Sequence, residues 1–292
     1  MRRLEYLMKT VRNSTDLKDV NSIKDNELIE YFNAGQKRIQ SLIFQADMES
    51  DLFDKEALYS LVSGQAGYDL PSDIFAGTSV SYVERLLNET YMPMDKIQES
   101  ERNSLTGYSI MQNQIRVHPT PKSNGSEDMR LIYSQIAPKL DVRRGIIKEV
   151  VSATKIKFTD IDDNFSDEKI QEYDEHFCIV STDGTIKSSG LLATKIIGTT
   201  VTFTGDATSA EVGDYMVMGE LSSTHSILPT GVECYLLDYV RMRAYLRDSQ
   251  DSDVSSQTYF TNGTEQEIVD LYANNDKDVI HPPLTDTDFM GY

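Results

Sequence analysis

The sequence predicts an α+β protein that combines a helical bundle with antiparallel β-hairpins and carries an inserted small antiparallel β-barrel or sandwich domain. Apolar residues repeat at helical spacing near both ends of the 292-residue chain, and short alternating runs occupy its middle. From Gly145 to Leu221 the chain becomes richer in Gly, Thr, Ser and Asp, which marks a separate β-rich segment. A chain of this length can bury a sizeable core in one large or two ordinary domains.

The first strong helix is predicted over residues 24–46, with Asp25 as its N-cap. Its apolar residues share one face and are Leu28, Phe32, Gly35, Ile39, Leu42, Ile43 and Ala46. Such a stripe must be buried, either in the protein's own core or partly against a neighbouring subunit. Residues 1–23 are predicted to be an arm that forms a short helix around residues 4–8 or becomes ordered on a partner.

Two β-hairpins and a return strand are predicted in the next part of the chain, which centres on residues 68–121. Proline at position 71 marks a strand end, because it cannot donate to a ladder. The predicted strands cover residues 56–62, 80–82, 91–97, 108–110, 115–117 and 129–133.

The inserted domain is predicted over residues 143–222 from six short alternating runs. These runs are 146–151, 155–158, 177–180, 192–197, 200–203 and 215–218. Turn residues such as Asp183-Gly184 and Gly198 separate them, which is typical of a small antiparallel barrel or sandwich. The ends of the segment lie close in sequence to a strand and a helix, as expected of a domain inserted in a surface loop.

Two further helices are predicted after this segment. Thr230-Gly231-Val232-Glu233 has the form of a capping box, and the helix that it opens extends to about residue 247. Thr264 and Glu267 repeat the signature and open a shorter helix. The predicted organisation is an arm (1–23), a discontinuous core (24–142 and 223–275), the inserted β domain (143–222) and an extended C-terminal tail (276–292). The tail ends in apolar residues that dock on a partner, or it is disordered.

The charge balance argues against non-specific nucleic-acid binding. Acidic residues outnumber basic residues 47 to 28, giving a formal net charge of −19, whereas backbone binding depends on Lys and Arg. No apolar run is long enough for a transmembrane helix and no signal peptide is recognisable. We therefore expect a protein made in the cytoplasm, without contact with a membrane, in which Cys178 and Cys234 stay free thiols.

The sequence contains no motif of a catalytic, metal or cofactor site. The four histidines fall in four different predicted elements, without a nearby cysteine. Residues 160–168 imitate the ligand order of a calcium loop, but Phe165 and Gln171 stand where that loop needs glycine and a bidentate glutamate. There is also no glycine-rich phosphate loop and no G-x-S-x-G. We expect neither enzymatic activity nor a bound metal or cofactor.

Acidic residues concentrate on two predicted loops, 160–175 and 248–253. The candidates for an acidic lumen or surface are Asp160, Asp162, Asp163, Asp248 and Asp251. In a symmetric ring they would repel a DNA duplex and leave it free to slide, and each loop alone is equally consistent with a solvated surface. Arg143 and Arg144 could form ion pairs with these carboxylates across subunits.

The order of the elements and three short motifs resemble the head–tail adaptor proteins of tailed bacteriophages. The motifs are YDLPSDI at 68–74, RLLNETYMPMDKI at 85–97 and GYSIMQNQIRVHPTP at 107–121. These connector or neck ring proteins are related to the tail-tubular or ring proteins of short-tailed phages. The likeness covers residues 24–140 and the helix from Thr230, and it leaves out residues 143–222.

The resemblance implies a structural virion protein at the head–tail junction, assembled in the host bacterial cytoplasm. It implies a homo-oligomeric ring, a dodecamer, with the portal protein above it and tail or other neck ring proteins below it. Genomic DNA would pass through this ejection channel without sequence-specific binding. The residues expected at subunit or portal interfaces are Leu28, Phe32, Ile39, Leu42, Leu237, Val240, Tyr245, Phe289 and Tyr292.

A binding module is the alternative function. In that reading the β domain recognises a glycan or a protein ligand through a concave aromatic cluster, and the helices only support it. The aromatic residues available are Phe158, Phe165, Tyr173, Phe177, Phe203 and Tyr215, and the chain contains no tryptophan.

Overall fold

The computed structural model describes residues 3–14, 23–47, 50–75, 80–87, 89–101, 105–125, 128–161, 176–248 and 263–273. The chain divides into two compact units, one made of Met1–Met48 with Pro138–Tyr292 and the other of Glu49–Ala137. Helices and antiparallel sheets occur together, so the predicted mixed α+β class is confirmed. The predicted domain boundaries stay a prediction.

Four described helices belong to the first unit: α1 (Leu4–Ser14), α2 (Asp25–Ala46), α3 (Glu233–Asp248) and α4 (Glu265–Ala273). α2 is the longest and packs against both α3 and α4. α1 is longer than the predicted short helix, because Leu4, Leu7 and Val11 are fully buried at helical spacing.

Both predicted helix caps differ from the structure. The N-cap of α2 is Lys24, without a side-chain capping bond. Asp25 is the first helical residue and accepts a hydrogen bond from Arg12 at 2.6 Å instead. Before α3, residues Thr230–Val232 form a 3₁₀ turn in which the Val232 amide donates to the Pro229 carbonyl at 2.9 Å. The Glu233 amide, which the predicted capping box assigned to the Thr230 side chain, donates to the Thr230 carbonyl instead.

The inserted segment forms a closed six-stranded barrel, which decides between the predicted barrel and sandwich. Its strands are β9 (Gly145–Ser152), β10 (Lys155–Ile161), β11 (His176–Val180), β12 (Ile186–Ile197), β13 (Thr200–Thr204) and β14 (Tyr215–Met218). All neighbours are antiparallel, in the order β10-β13-β12-β11-β14-β9. Phe177 and Phe203 meet edge to face at 5.3 Å in the interior.

The chain enters and leaves the barrel through two short strands that lie side by side. β8 (Lys139–Leu140) pairs in parallel with β15 (Ser222–Ser223). Asn33 of α2 holds β8, accepting from the Leu140 amide at 2.6 Å and donating to its carbonyl at 3.0 Å. Gln36 donates to the Pro138 carbonyl at 2.8 Å and accepts from Ser226 Oγ at 2.6 Å. α2 therefore fixes both ends of the insertion.

The second unit contains two small antiparallel sheets. One has the order β1-β7-β3-β4, with β1 at Asp54–Tyr59, β7 at Met129–Ser134, β3 at Val80–Leu87 and β4 at Thr90–Pro93. The other has the order β2-β6-β5, with β2 at Gly67–Asp69, β6 at Gln114–His118 and β5 at Gly107–Met111. Both predicted hairpins are confirmed, β3–β4 and β5–β6. β4 ends at Pro93, well short of residue 97, and β2 was not predicted.

Candidate interaction surfaces

The apolar residues predicted for subunit or portal contacts are mostly covered by the chain itself. Six of them are buried: Leu28, Phe32, Ile39, Leu42, Leu237 and Val240. Each contributes roughly 2 kcal/mol to the stability of the single chain by burial, and its part in a contact between subunits stays a prediction. Tyr245 is 50% exposed and lies on the surface of α3. Phe289 and Tyr292 lie outside the described residues.

The acidic candidates can be placed only in part. Asp160 is exposed on β10. Asp248 is the last residue of α3, and its side chain is outside the described part of the chain. Asp162, Asp163 and Asp251 also lie outside the described residues. The acidic lumen therefore stays a prediction.

Arg144, one of the two arginines proposed for cross-subunit ion pairs, has a partner in its own chain. Arg144 donates to both carboxylate oxygens of Asp141, at 3.0 Å and 2.7 Å. The guanidinium of Arg143 lies 5.5 Å from the centre of the Tyr215 ring, and that of Arg3 lies 5.1 Å from it. These contacts hold the N-terminal helix and the start of the barrel to one aromatic ring.

A serine, a histidine and a glutamate meet in the second unit, in an arrangement unlike a catalytic triad. Ser109 Oγ donates to Glu99 Oε2 at 2.7 Å and lies 3.0 Å from His118 Nε2. The same Glu99 oxygen lies 3.5 Å from that nitrogen, whereas the acid of a triad contacts the opposite ring nitrogen. Ser109 and His118 are both buried. The group ties β5 and β6 to the turn at Glu99–Glu101.

Metal and membrane sites find no support in the described residues. Among them no three His, Cys, Asp or Glu side chains are close enough to hold a metal ion. No helix in this part of the chain is both long and apolar enough to cross a membrane. The prediction of free thiols is confirmed for Cys178 and Cys234, and burial raises the pKa of both.

The aromatic cluster that a glycan-binding module needs is not on the described barrel surface. Four of the six candidate rings are buried: Phe158, Phe177, Phe203 and Tyr215. The other two, Phe165 and Tyr173, lie outside the described residues. The phenylalanines fill the barrel interior and contribute to its stability.

One surface of the second unit was missed by sequence reasoning. On the outer face of the four-stranded sheet, Arg130 lies between Glu84, at 2.5 Å, and the Tyr91 ring, at 4.4 Å from its centre. Tyr82 and Leu58 flank it and are 62% and 43% exposed. The alternation of apolar and charged residues in β1, β3 and β7 carried the signal, but the pairing of these strands is needed to assemble it.

Comparison with known proteins relates the first half of the chain to a phage protein family. No curated protein shows a significant sequence match. Residues 5–145, slightly less than half of the chain, match the family model described as SU10 adaptor protein. The match includes α2 and the whole second unit, and it ends at Gly145, where the first barrel strand begins. Over residues 5–145 the chain is therefore similar to the SU10 adaptor proteins, which supports the resemblance to phage head–tail adaptors found in the sequence.

Proposed function

We propose that the protein assembles into a homo-oligomeric connector ring, a dodecamer, between the portal protein and the tail, and that this ring forms part of the DNA-ejection channel. The observation that carries the proposal is the family match over residues 5–145. The similarity to a head–tail adaptor family supports a role as a structural protein of the phage virion. Its action is mechanical and requires no catalysis.

The helices of the first unit are the proposed frame of the ring. α2 is joined to α4 by two hydrogen bonds from Arg38 to Glu265, both 2.7 Å long. It is joined to α3 by Arg247, whose Nε lies 2.7 Å from Glu27 Oε1. A frame that is rigid in one copy supports ring formation, because a closed ring needs the same heterologous contact repeated at a constant angle.

The net charge of −19 suits a channel for DNA. Repeated around a ring, an excess of carboxylates repels the phosphate backbone, so that the duplex moves without being held. The C-terminal tail is proposed to reach the portal protein and to become ordered on it, which would make assembly sequential.

The mass of the purified protein in solution tests the proposal, together with negative-stain images of the same sample. Closed rings, alone or after the portal protein of the same phage is added, are the expected result. A protein that stays monomeric and does not bind the portal protein contradicts the connector role. A monomer that joins portal assemblies supports the role and shows that ring closure depends on the partner.

Among the residues that the structure describes, no observation favours the alternative of a ligand-binding β domain. The barrel rings that a sugar would stack on are inside the fold, as Phe177 and Phe203 illustrate at 0% and 3% exposure. We therefore keep the connector ring as the proposed function.

A further inference from the structure

A buried histidine lies at the point where three parts of the first unit meet. His225 is 8% exposed and belongs to residues 222–226, which begin with β15 and lead out of the barrel. We call these residues the exit segment. Thr224 Oγ1 lies 2.9 Å from Nδ1 of the histidine. A side chain that can change its charge near neutral pH is therefore enclosed in the fold.

The N-terminal helix is held to the exit segment at the position of this histidine. Arg3 forms an isolated antiparallel β-bridge with His225, and the Leu4 amide donates to the Thr224 carbonyl at 2.8 Å. The Arg3 side chain donates to the Tyr215 hydroxyl at 3.1 Å. Because α1 begins directly on the exit segment, a change at His225 acts on the first turn of this helix.

The turn between β11 and β12 also packs on the histidine. A Cβ atom at Gly184 would lie 2.6 Å from His225 Cβ and 2.7 Å from its ring atoms Cγ and Nδ1, so the glycine backbone contacts the ring directly. Ser223 Oγ donates to the Gly184 carbonyl at 2.7 Å and accepts from the His225 amide at 3.2 Å. These contacts fix the ring between the barrel turn and the exit segment.

Charged groups face His225 from the N-terminal region and from the barrel turn. They are the guanidinium of Arg3, the N-terminal amino group, the carboxylate of Glu5 and the carboxylate of Asp183. Burial is the main cause that lowers the pKa of His225, and Arg3 and the amino group lower it further, whereas Asp183 and Glu5 act in the opposite direction. A hydrogen bond from Ser181 lowers the pKa of Asp183 to about 2, so this carboxylate stays ionised in mild acid.

The two other histidines in the described part of the chain have a carboxylate beside the ring. His118 Nε2 lies 3.5 Å from Glu99 Oε2, and His176 Nδ1 lies 4.0 Å from Glu220 Oε1. No carboxylate of the described residues lies within 4 Å of the His225 ring nitrogens. A positive charge on either of the other histidines would be compensated by its neighbour, whereas on His225 it would be buried near another cation.

We propose that His225 forms an acid-sensitive contact: when its ring takes up a proton, the start of α1 leaves the exit segment. Protonation places two cations, His225 and Arg3, in one enclosed site, and separation of α1 relieves their repulsion and admits water to the ring. The released helix exposes the apolar face of Leu4, Leu7 and Val11, which is fully buried in the closed state. The proposed ring has no part in this contact, because all its groups belong to one copy of the chain.

The direction of the pH dependence follows from the two states of the histidine. In the released state the ring is in water and titrates near its ordinary pKa of 6.5. Since the pKa is lower in the closed state, the released state binds the proton more readily. The contact is therefore complete above about pH 6.5 and is lost progressively as the pH falls below that value.

Amide hydrogen exchange of the full chain tests the proposal. Rates measured from neutral solution to mild acid are converted to protection factors, which removes the intrinsic pH dependence of exchange. We expect the amides of α1 to lose protection by up to about tenfold per pH unit below about pH 6.5, which is the limit for uptake of one proton. The barrel strands should keep their protection over the same range.

Two glutamine variants assign the effect to one side chain. His225→Gln removes the titrating group and keeps a side chain that can hydrogen-bond to Thr224, so the protection of α1 should no longer depend on pH in this range. His176→Gln, on β11 of the same barrel, is the matched control and should respond to acid as the wild type does. Exchange of the histidine C2 hydrogen, read by mass spectrometry, measures the pKa of His225 in the wild-type chain and should give a value below 6.5.

Three results would overturn the proposal. One is equal protection of α1 in neutral solution and in mild acid in the wild type. Another is a loss of protection in acid that persists in His225→Gln, which assigns the effect to other groups. The third is an ordinary or raised pKa of His225. The pKa also decides the case in which His225→Gln loses the α1 contact at every pH, since a lowered value together with acid release in the wild type then supports the proposal.

Discussion

Gly35 of α2 and Tyr239 of α3 approach so closely that a side chain on the glycine would collide with the ring. A Cβ atom at position 35 would lie 2.7 Å from Tyr239 Cδ1 and 2.8 Å from Leu236 Cδ1. The glycine therefore sets the distance between the two helices. Its cost in helix propensity, about 1 kcal/mol relative to alanine, is offset by the close packing that it permits.

Gly35→Val should destabilise the first unit. We expect the free energy of unfolding to fall by about 1–3 kcal/mol, because the added methyl groups must displace Tyr239 and Leu236. Urea unfolding followed by the helical circular dichroism signal measures the change. Ala34→Val, at the exposed neighbouring position, is the matched control and should cost no more than about 0.7 kcal/mol. Equal losses in the two variants would mean that the helices tolerate a larger separation.

Asp73→Ala should destabilise the second unit. The Tyr133 hydroxyl donates to Asp73 Oδ1 at 2.7 Å, and Lys55 Nζ lies 2.6 Å from Oδ2. Without the carboxylate the buried tyrosine hydroxyl loses its partner, at a cost of about 1–3 kcal/mol. Tyrosine fluorescence during urea unfolding reports the change, since the chain has no tryptophan. Asp69→Ala removes an exposed carboxylate nearby and should cost less than about 0.5 kcal/mol; a comparable loss there would contradict the special role of Asp73.

Gln36→Leu should loosen the two strands that lead into and out of the barrel. The variant removes hydrogen bonds to the Pro138 carbonyl and from Ser226 Oγ, both in a buried environment. We expect faster amide hydrogen exchange in β8 and β15 and a loss of about 1–3 kcal/mol. The barrel strands themselves should keep their protection. Lys37→Ala, at the exposed adjacent position, should leave exchange unchanged; unchanged exchange in Gln36→Leu as well would show that the helix does not hold these strands.

The stability of the protein at alkaline pH should depend on the ionisation of the buried Tyr272. Burial raises the pKa of this residue to about 12, while in the unfolded chain it titrates near 10. The unfolded state therefore loses its proton first as the pH rises, and stability that is complete below about pH 10 is lost between about pH 10 and 12, by up to roughly 2–3 kcal/mol.

Tyr272→Phe tests this dependence because it keeps the ring and removes the titrating hydroxyl. The free energy of unfolding of the variant, measured from neutral to alkaline pH, should decline less steeply above about pH 10 than that of the wild type. Parallel curves for the two proteins would show that other groups dominate alkaline unfolding.

Local patterns predicted the elements that are short apolar runs bounded by turn residues. The six barrel strands were found in sequence in this way, and buried and exposed side chains alternate in β10 and β13. The β5–β6 hairpin was found for the same reason, and Gln112 and Asn113 adopt the positive φ angles of 52° and 61° that its tight turn needs. Closure of the barrel depends on pairing between β9 and β14, which are far apart in sequence, and no local pattern reports that contact.

The hydrogen-bond partners of polar residues could not be predicted from the sequence. Asn33 and Gln36 are polar residues on α2, and their partners lie more than a hundred positions away in the chain. Apolar periodicity correctly marked Leu28 and Phe32 as residues to be buried, but it cannot tell whether the same chain or a neighbour covers them.

The parallel pairing of β8 with β15 has a consequence for how such a chain can change over time. Because Lys139 lies opposite Ser222, the two ends of the barrel leave the helical frame as neighbours. Another module whose termini are adjacent could be grafted at this point without moving α2 or lengthening the chain. A chain built on this scaffold could thus acquire a different inserted domain through a single genetic exchange, while α2 and the helices that pack on it stay the same.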